Sequence, residues 1–152
     1  MRELLHKNYI FLQQNLHNKA QVFRFLSQRS FSLGLAQNED DVEKELLKRE
    51  KLASTGLLDG IAIPHAISEN IKEPAILFVR SREPVEDWST IDHSKVFQII
   101  AMLVPANSEQ EHLQTLANLS GRLIEQKQRK KLAECSTVKE VYDFLSGEAV
   151  SG

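Results

Sequence analysis

The residue with the most evident chemistry is a histidine that follows a proline at the end of a short apolar run, Gly60-Ile61-Ala62-Ile63-Pro64-His65. The branched aliphatic residues of this run predict a buried strand. Pro64 fixes its own φ and pushes Ile63 toward the extended conformation. We therefore expect the imidazole of His65 at the end of a stiff strand, where a titratable ring can act as a nucleophile.

Other polar residues supply what a phosphoryl-carrying histidine needs, namely donors for about two added negative charges and a fixed ring tautomer. Arg49 offers a planar guanidinium suited to phosphate. His112 offers a second donor at a predicted helix start, where backbone amides favour anions. Thr55 offers a hydroxyl. The alternative is that His65 only closes a strand and hydrogen-bonds locally, because the sequence does not show that these residues meet.

Length, charge and cysteine usage bound the class of protein. The chain has 152 residues, a formal net charge of −2 and one cysteine, Cys135. We expect a single domain over 1–147 and a disordered tail over 148–152. The charge gives no reason to expect nucleic acid, and no apolar run approaches the roughly 20 residues of a membrane-spanning helix. The lone cysteine and the polar start of the chain predict a cytoplasmic protein with no membrane insertion.

The apolar pattern predicts the elements that position these residues. Buried strands are predicted over 74–80 and 96–105, and a shorter first strand over 9–12. Helices are predicted after Asn18, after Asn38 or Asp40, after Ser108, and over 126–133 and 137–145. The second helix is expected to turn Val42, Leu46, Leu47 and Leu52 inward, Trp88 to plug the core edge, and Cys135 to fill a buried gap. The fold class is therefore α/β, with a mixed β-sheet sandwiched between helical layers.

Two stretches resemble one family closely. Arg49-Glu50, Ser54-Thr55-Gly56 and the run from Gly60 to His65 look like the signature of the IIA components of the bacterial sugar phosphotransferase system, fructose–mannitol type. The stretch 111–120, Glu-His-Leu-Gln-Thr-Leu-Ala-Asn-Leu-Ser, resembles the second motif of that family, a histidine followed by spaced leucines. The two matches stand in the family's order and at about its spacing, so together they are specific.

The resemblance implies a fold, a reaction and partners. The position of His65 implies a phosphoryl acceptor that takes the group from the phosphocarrier protein HPr and passes it to a cysteine of a IIB domain. The IIB domain in turn serves a membrane IIC that admits the sugar. The resemblance also implies that His112 assists at the site, that Arg49 helps to hold the phosphoryl group, and that the fold is a mixed sheet between helices. No metal or other cofactor is expected, because relay between protein nucleophiles rests on positioned donors.

Partner contacts and two departures from the family pattern complete the expectations. We expect Pro64, Ala66 and Ile67 to form an apolar rim around His65 for a small transient interface. The family often has asparagine at position 59 and glycine at position 66, where this chain has Asp59 and Ala66. An acid at 59 would repel a phosphohistidine mildly unless it points away, and alanine at 66 restricts the backbone.

Two further functions remain open on the sequence alone. The first is a regulatory module of the same fold, like the nitrogen-regulatory IIA proteins, that binds partners according to its phosphorylation state. The second is a zinc site or hydrolase built from His65, His93 and His112. The metal hypothesis is the weaker one, because the sequence has no His-x-x-x-His or Cys-x-x-Cys chelating pair. His93 itself is expected to be solvent-exposed, in the polar loop that also contains Trp88.

Overall fold

The computed structural model describes residues 4–147 and shows a five-stranded mixed sheet between two layers of helices. The strands are β1 Ile10–Gln14, β2 Ile61–Ala62, β3 His65–Ser68, β4 Ala75–Val85 and β5 Val96–Pro105. The helices are α1 Lys19–Ser32, α2 Glu39–Leu52, α3 Glu109–Leu123, α4 Gln126–Glu134 and α5 Val138–Ser146, with short 3₁₀ turns at Lys7–Tyr9 and Ala106–Ser108. The predicted fold class is confirmed.

Strands β4 and β5 form the centre of the sheet. They run antiparallel, with Phe78 opposite Ile100. β1 pairs with the outer side of β4 in parallel, and β2 and β3 both pair with β5 in parallel. The predicted strand 96–105 matches β5, whereas β4 extends five residues beyond the predicted 74–80. The sequence did not predict this extension, because the run Arg80-Ser81-Arg82-Glu83-Pro84 is polar. The strand nevertheless continues through this run, and Val85 pairs with Val96 of β5.

Alternate residues of the central strands fill two separate cores. One core lies under α1 and α2 and contains Phe23, Leu46, Leu77, Ile99 and Leu103. The other lies under α3, α4 and α5 and contains Phe78, Met102, Leu119, Leu132 and Val141. Because both faces of the sheet are covered, the central strands are apolar on both sides, which is the pattern that the sequence shows.

The first two helices begin where the sequence places their caps. The side chain of Asn18 accepts the backbone N–H of Gln21, and Asn38 caps α2 in the same way. The predicted inward face of α2 is partly wrong, because Leu47 is 37% exposed and Leu52 is 79% exposed. Both lie off the stripe that Val42 and Leu46 turn toward the sheet, since Leu47 follows Leu46 by one residue and Leu52 ends the helix.

The predicted strand before His65 is shorter than expected. β2 has only two residues, Ile63 and Pro64 break it, and a new strand, β3, begins at His65 itself. Pro64 has no N–H to donate to the sheet, so the ladder is interrupted there. His65 therefore opens a strand rather than following one, and it is fixed by strand pairing on its C-terminal side.

The second half of the chain carries three helices on one face of the sheet. Ser108 stands at the N-cap of α3, although its side chain makes no capping hydrogen bond. Thr137 and Glu140 form a reciprocal capping box at the start of α5. None of the helices within residues 4–147 has both the length and the apolar character needed to cross a membrane. The tail predicted over 148–152 lies outside the described residues, and the single-domain boundary at 147 stays a prediction.

Candidate functional site

His65 lies at the edge of the sheet, on the side of α3. It pairs in register with Met102 on the parallel strand β5, and paired residues on neighbouring strands point to the same face. Met102 belongs to the core under α3, so the imidazole projects toward that face. The ring is half-buried and lines an open depression of about 160 Å³, whose other walls are the α2 residues Glu45, Lys48, Arg49 and Leu52 together with Ile67. A ligand or a partner side chain can therefore reach it.

Arg49 contacts the imidazole directly. Its Nε donates a hydrogen bond of 3.1 Å to His65 Nε2, and its Nη1 donates one of 2.8 Å to the carbonyl of Ala53. A nitrogen that accepts a hydrogen bond carries its lone pair there, so the proton of the neutral ring sits on Nδ1. The structure thus brings together Arg49 and His65, two of the predicted site residues, and indicates that Nε2 is the ring nitrogen with the available lone pair.

The surroundings of His65 keep the ring neutral. Burial lowers the pKa of His65 below its ordinary value, and the charge of Arg49 lowers it further. The carbonyl of Ile63 and the charge of Glu50 act in the opposite direction and raise the pKa less. Within residues 4–147 no acceptor meets hydrogen-bond geometry with the buried Nδ1, although the Ile63 carbonyl lies close enough to favour a proton on the ring. A neutral ring at pH 7 is the nucleophilic form.

Thr55 is tied to a buried glutamate instead of facing the depression. Its Oγ1 donates to Glu50 Oε1 at 2.7 Å, and its N–H donates to Glu50 Oε2 at 2.9 Å. Thr55 is 5% exposed, which contradicts the expectation that its hydroxyl contacts a bound group directly. The Thr55 carbonyl accepts the N–H of Ile63, two residues before His65. The sequence reasoning missed Glu50 as a site residue, and its place beside Arg49 in the matched motif was the available signal.

The loop over 89–95 clasps the segment that leads to His65. The N–H of Asp59 donates to Asp92, the N–H of Gly60 donates to Ser94, and the Ser54 hydroxyl donates to a backbone carbonyl of the same loop. A Cβ on Gly56 would lie 2.0 Å from the Ser89 carbonyl oxygen, so only glycine fits there. Sequence reasoning also missed this clasp, for which the two glycines were the only signal.

His112 lies on α3, on the same side of the sheet as His65. Its side chain is 14% exposed, and its Nε2 lies 3.9 Å from a carboxylate oxygen of Glu111. It lines a second depression together with Leu4, Pro74 and Pro105. No hydrogen bond or ion pair joins His112 to His65 within the described part of the chain. The assisting role of His112 therefore stays a prediction, supported by the shared face.

The apolar surface beside His65 differs from the predicted rim. Pro64 and Ala66 are buried, and Ala66, at 1% exposure, belongs to the core under α1 and α2. Their predicted contact with a partner is therefore corrected. Ile67 is half-buried and lines the depression, and Leu52, which the sequence assigned to the core, is 79% exposed next to it. The apolar side chains that line this depression are therefore Leu52 and Ile67.

The two departures from the family pattern are accommodated. Asp59 has φ 51°, a left-handed conformation that asparagine and aspartate tolerate better than most residues. Its carboxylate accepts a 2.8 Å hydrogen bond from Arg129 Nε on α4, so it points away from His65. Ala66 lies in the extended strand β3, where alanine needs no unusual backbone angle. Neither residue disturbs the site.

The remaining candidates lie elsewhere. His93 is exposed in the loop of the clasp, as predicted. Trp88 is 4% exposed and packs edge-on against Phe23, as predicted. Cys135 is only half-buried where α4 ends, so it is not the buried filler expected from the sequence, and burial raises the pKa of its thiol. No group of three or more potential metal ligands occurs within residues 4–147.

Comparison with known proteins gives the family. Residues 3–148 match the model of the family described as "Phosphoenolpyruvate-dependent sugar phosphotransferase system, EIIA 2". The chain belongs to this EIIA family. It is 33% identical over 137 residues to the protein named "PTS system fructose-specific EIIA component" of Haloferax volcanii, covering 90% of this chain and 88% of that one. The family belongs to a sugar phosphotransferase system, so this EIIA chain has a phosphotransferase role in general.

Two further relatives extend the comparison. The "PTS system fructose-specific EIIABC component" of Bacillus subtilis is 29% identical over 144 residues, which cover 95% of this EIIA chain and 22% of that protein. The chain thus spans about a fifth of the length of several multi-domain relatives that it matches. The crystal structure of the nitrogen regulatory protein IIA-Ntr from Neisseria meningitidis superposes with a TM-score of 0.86 at 33% identity, covering 95% of this chain and 97% of that one.

Proposed function

We propose that His65 is the phosphoryl carrier of this EIIA domain. It accepts the group from phosphorylated HPr and passes it to the cysteine of a IIB domain, which phosphorylates a sugar entering through a IIC protein. The observation that carries the proposal is the 3.1 Å contact of Arg49 Nε with His65 Nε2, on a neutral ring that opens onto a depression. One group there supplies a lone pair, and the other supplies the positive charge for the incoming phosphoryl oxygens.

Each transfer exchanges one bond to phosphorus for another. The lone pair of Nε2 forms the new N–P bond, while the bond between phosphorus and the donor nucleophile breaks and its electron pair returns to the donor. In the second transfer the acceptor thiolate forms an S–P bond, and the electrons of the N–P bond return to Nε2. The proton on Nδ1 stays in place, so the phosphorylated ring keeps one N–H.

Arg49 must change partners during this cycle. In the unphosphorylated site its Nε occupies the lone pair of Nε2. An arriving phosphorus displaces that hydrogen bond, and the guanidinium then pairs with the phosphoryl oxygens. The second bond, from Nη1 to the Ala53 carbonyl, keeps the guanidinium close to the site during the exchange. His112 is proposed to supply further positive charge or a donor from α3 once a partner is docked.

Partner docking is proposed to use the exposed apolar pair Leu52 and Ile67. These side chains border the depression beside His65, and Leu52 lies at the end of α2. Both HPr and IIB must approach the same ring in turn, so a small and transient interface suits the relay. We propose that the domain works on the cytoplasmic side of the membrane. There it serves a membrane IIC protein that admits the sugar from outside. The EIIABC name of the Bacillus subtilis relative supports a IIB partner for this chain.

A phosphorylation assay tests the carrier role. The protein is incubated with phosphorylated HPr, and acid-labile phosphate is measured and located by peptide mapping. We expect label on His65, its transfer to a IIB cysteine, and no label in His65→Ala. The matched control is His93→Ala, since the side chain of His93 is exposed and does not line the depression beside His65. Equal labelling of wild type and His65→Ala, or no labelling of the wild type, would end the proposal.

A regulatory role is the second candidate, favoured by the TM-score of 0.86 with the nitrogen regulatory IIA-Ntr. In this role the chain keeps the phosphorylated His65 but binds other proteins according to its phosphorylation state. Transfer to IIB separates the two candidates. Phosphorylated protein that passes its group to a IIB encoded nearby supports sugar transport, whereas stable label and no adjacent IIB or IIC gene support regulation.

A further inference from the structure

Glu50 is a buried carboxylate whose bonding is directed entirely at the segment before His65. It is 8% exposed and lies next to Arg49 in the last turn of α2. Both of its oxygens accept hydrogen bonds, and both donors belong to Thr55. None of the ion pairs found among residues 4–147 involves it. Burial of a charge without a cation costs free energy, so a positional or electrostatic gain must offset it.

The hydrogen bonds of Glu50 reach His65 in two steps. Glu50 holds the backbone N–H and the hydroxyl of Thr55. The Thr55 carbonyl then accepts the N–H of Ile63 at 3.0 Å. Ile63 is joined through the rigid Pro64 to His65, so movement of Thr55 would move the ring. The end of α2, which carries Arg49, is thereby fixed to the strand that carries His65.

The charge of Glu50 also acts on the site. It opposes Arg49, because it raises the pKa of His65 while Arg49 lowers it. The same negative charge repels a phosphoryl group on Nε2, whereas Arg49 attracts one. A carrier that held its phosphoryl group too tightly would deliver it slowly to the next protein. A buried negative charge behind the nucleophile limits this affinity.

We propose that Glu50 is a positioning residue that also has an electrostatic role. It locks the Thr55–Ile63 approach to His65, and its charge weakens the hold of the site on the phosphoryl group. The inference rests on the proposed carrier function of His65 and deepens it. The reaction itself is unchanged. The lone pair of Nε2 forms the N–P bond, and the same electron pair returns to Nε2 when that bond breaks. Glu50 shifts its equilibrium without touching the reacting atoms.

Two substitutions separate the positioning role from the electrostatic role. Glu50→Gln removes the charge but keeps both hydrogen bonds, because its amide oxygen accepts the Thr55 N–H and its NH₂ group donates to the Thr55 hydroxyl. Thr55→Val keeps the charge and removes the hydroxyl. The matched control is Glu43→Gln, the same substitution two helical turns earlier on α2, where Glu43 pairs with the surface residue Arg24. All three are made in the full chain.

Two readouts are used, and the first needs no partner. The pKa of His65 is measured by NMR titration of the ring. The equilibrium constant for phosphoryl exchange with phosphorylated HPr, and the rate of delivery to IIB, are measured with radiolabelled phosphate. For Glu50→Gln we expect a lower pKa of His65 and an exchange equilibrium shifted about tenfold toward phosphorylated His65, the scale of one charge near a partly exposed site. Delivery to IIB should slow by a similar factor.

The other variants are expected to differ in kind. Thr55→Val should leave the pKa of His65 unchanged and the exchange equilibrium constant within about twofold of wild type. It should slow transfer in both directions, because His65 is positioned more loosely. Glu43→Gln should match the wild type in both readouts. If Glu50→Gln folds poorly, Thr55→Val still tests the positioning role, and wild-type transfer rates in that variant overturn it.

The inference can fail separately from the proposed function. A wild type that is labelled on His65, together with a Glu50→Gln variant whose pKa of His65 and exchange equilibrium are both unchanged, overturns the electrostatic role alone. A wild type without label on His65 overturns the proposed function. The NMR titration then still shows whether the charge of Glu50 acts on the ring.

Discussion

Arg49→Gln is the sharpest test of the site, because it removes the only cation in hydrogen-bond contact with His65 within the described residues. We expect two effects. The pKa of His65 rises, since the positive charge that lowers it is gone, while the larger lowering by burial remains. Phosphoryl acceptance slows, since the glutamine cannot supply a charge to the phosphoryl oxygens. The two effects have the same cause and must appear together.

The size of the rate effect follows from the contact. Arg49 Nε lies 3.1 Å from Nε2, so its guanidinium can meet an oxygen of a group bound at that atom. A charge-assisted hydrogen bond contributes about 1.5–3 kcal/mol, and the open depression favours the lower half of that range over the larger values of a dry interior. At about 1.4 kcal/mol per factor of ten, transfer should slow roughly 10- to 40-fold.

The assay combines NMR titration of His65 with single-turnover transfer from phosphorylated HPr. Arg24→Gln serves as the matched control, because Arg24 lies on α1 and pairs with Glu43 at the surface. Circular dichroism checks that both variants fold. An Arg49→Gln protein with an unchanged pKa of His65 and wild-type transfer would show that the 3.1 Å contact has no role in the chemistry.

Three other substitutions test the surroundings of the site. His112→Ala should slow phosphoryl transfer without unfolding the domain, as single-turnover rates and thermal melting will show; an unchanged rate would exclude it from the site. Gly56→Ala should lower the free energy of unfolding in urea by at least about 3 kcal/mol, the upper end of the usual cost of overpacking. The reason is that its Cβ would lie 2.0 Å from the Ser89 carbonyl oxygen. Gly121→Ala is its control: nothing lies within 4 Å of the added methyl, so this helix should gain about 0.5–1 kcal/mol. Hydrogen bonds from the Asp59 N–H and the Ser94 hydroxyl hold the pKa of the Asp92 carboxyl well below its usual range, so the stability they contribute is present above the ordinary value of 3.8 and is lost as the pH falls. Asp92→Asn should therefore reduce the difference between the urea midpoints at about pH 6 and about pH 3, and an undiminished difference would exclude Asp92 as a source of acid lability.

Local patterns were sufficient for most of the elements. The cap residues Asn18 and Asn38 mark helix starts, because their side chains satisfy backbone N–H groups that no helix can satisfy itself. The apolar run 96–105 marks β5, because a strand covered on both faces has no polar side. Residue type and motif likewise singled out His65 and Arg49, which the structure places in hydrogen-bond contact.

Tertiary structure decided what local patterns could not. Leu52 is exposed beside His65, although its apolar character predicted a buried position. Its exposure depends on how the end of α2 packs against the edge of the sheet. The polar segment 81–84 belongs to β4 because the strand is paired with β5 on both sides of it, Arg80 with Gln98 and Val85 with Val96, and strand pairing can override propensity.

The sequence by itself determined the layered fold and singled out His65 and Arg49 as site candidates, since each follows from residue type or from short-range periodicity. Only the tertiary structure placed Arg49 Nε on Nε2 and thereby assigned the ring proton to Nδ1. It alone turned Asp59 toward Arg129 and directed Glu50 at Thr55. These are contacts between side chains, or between a side chain and a loop, whose geometry is set by the packing of whole elements. No local sequence pattern encodes that packing.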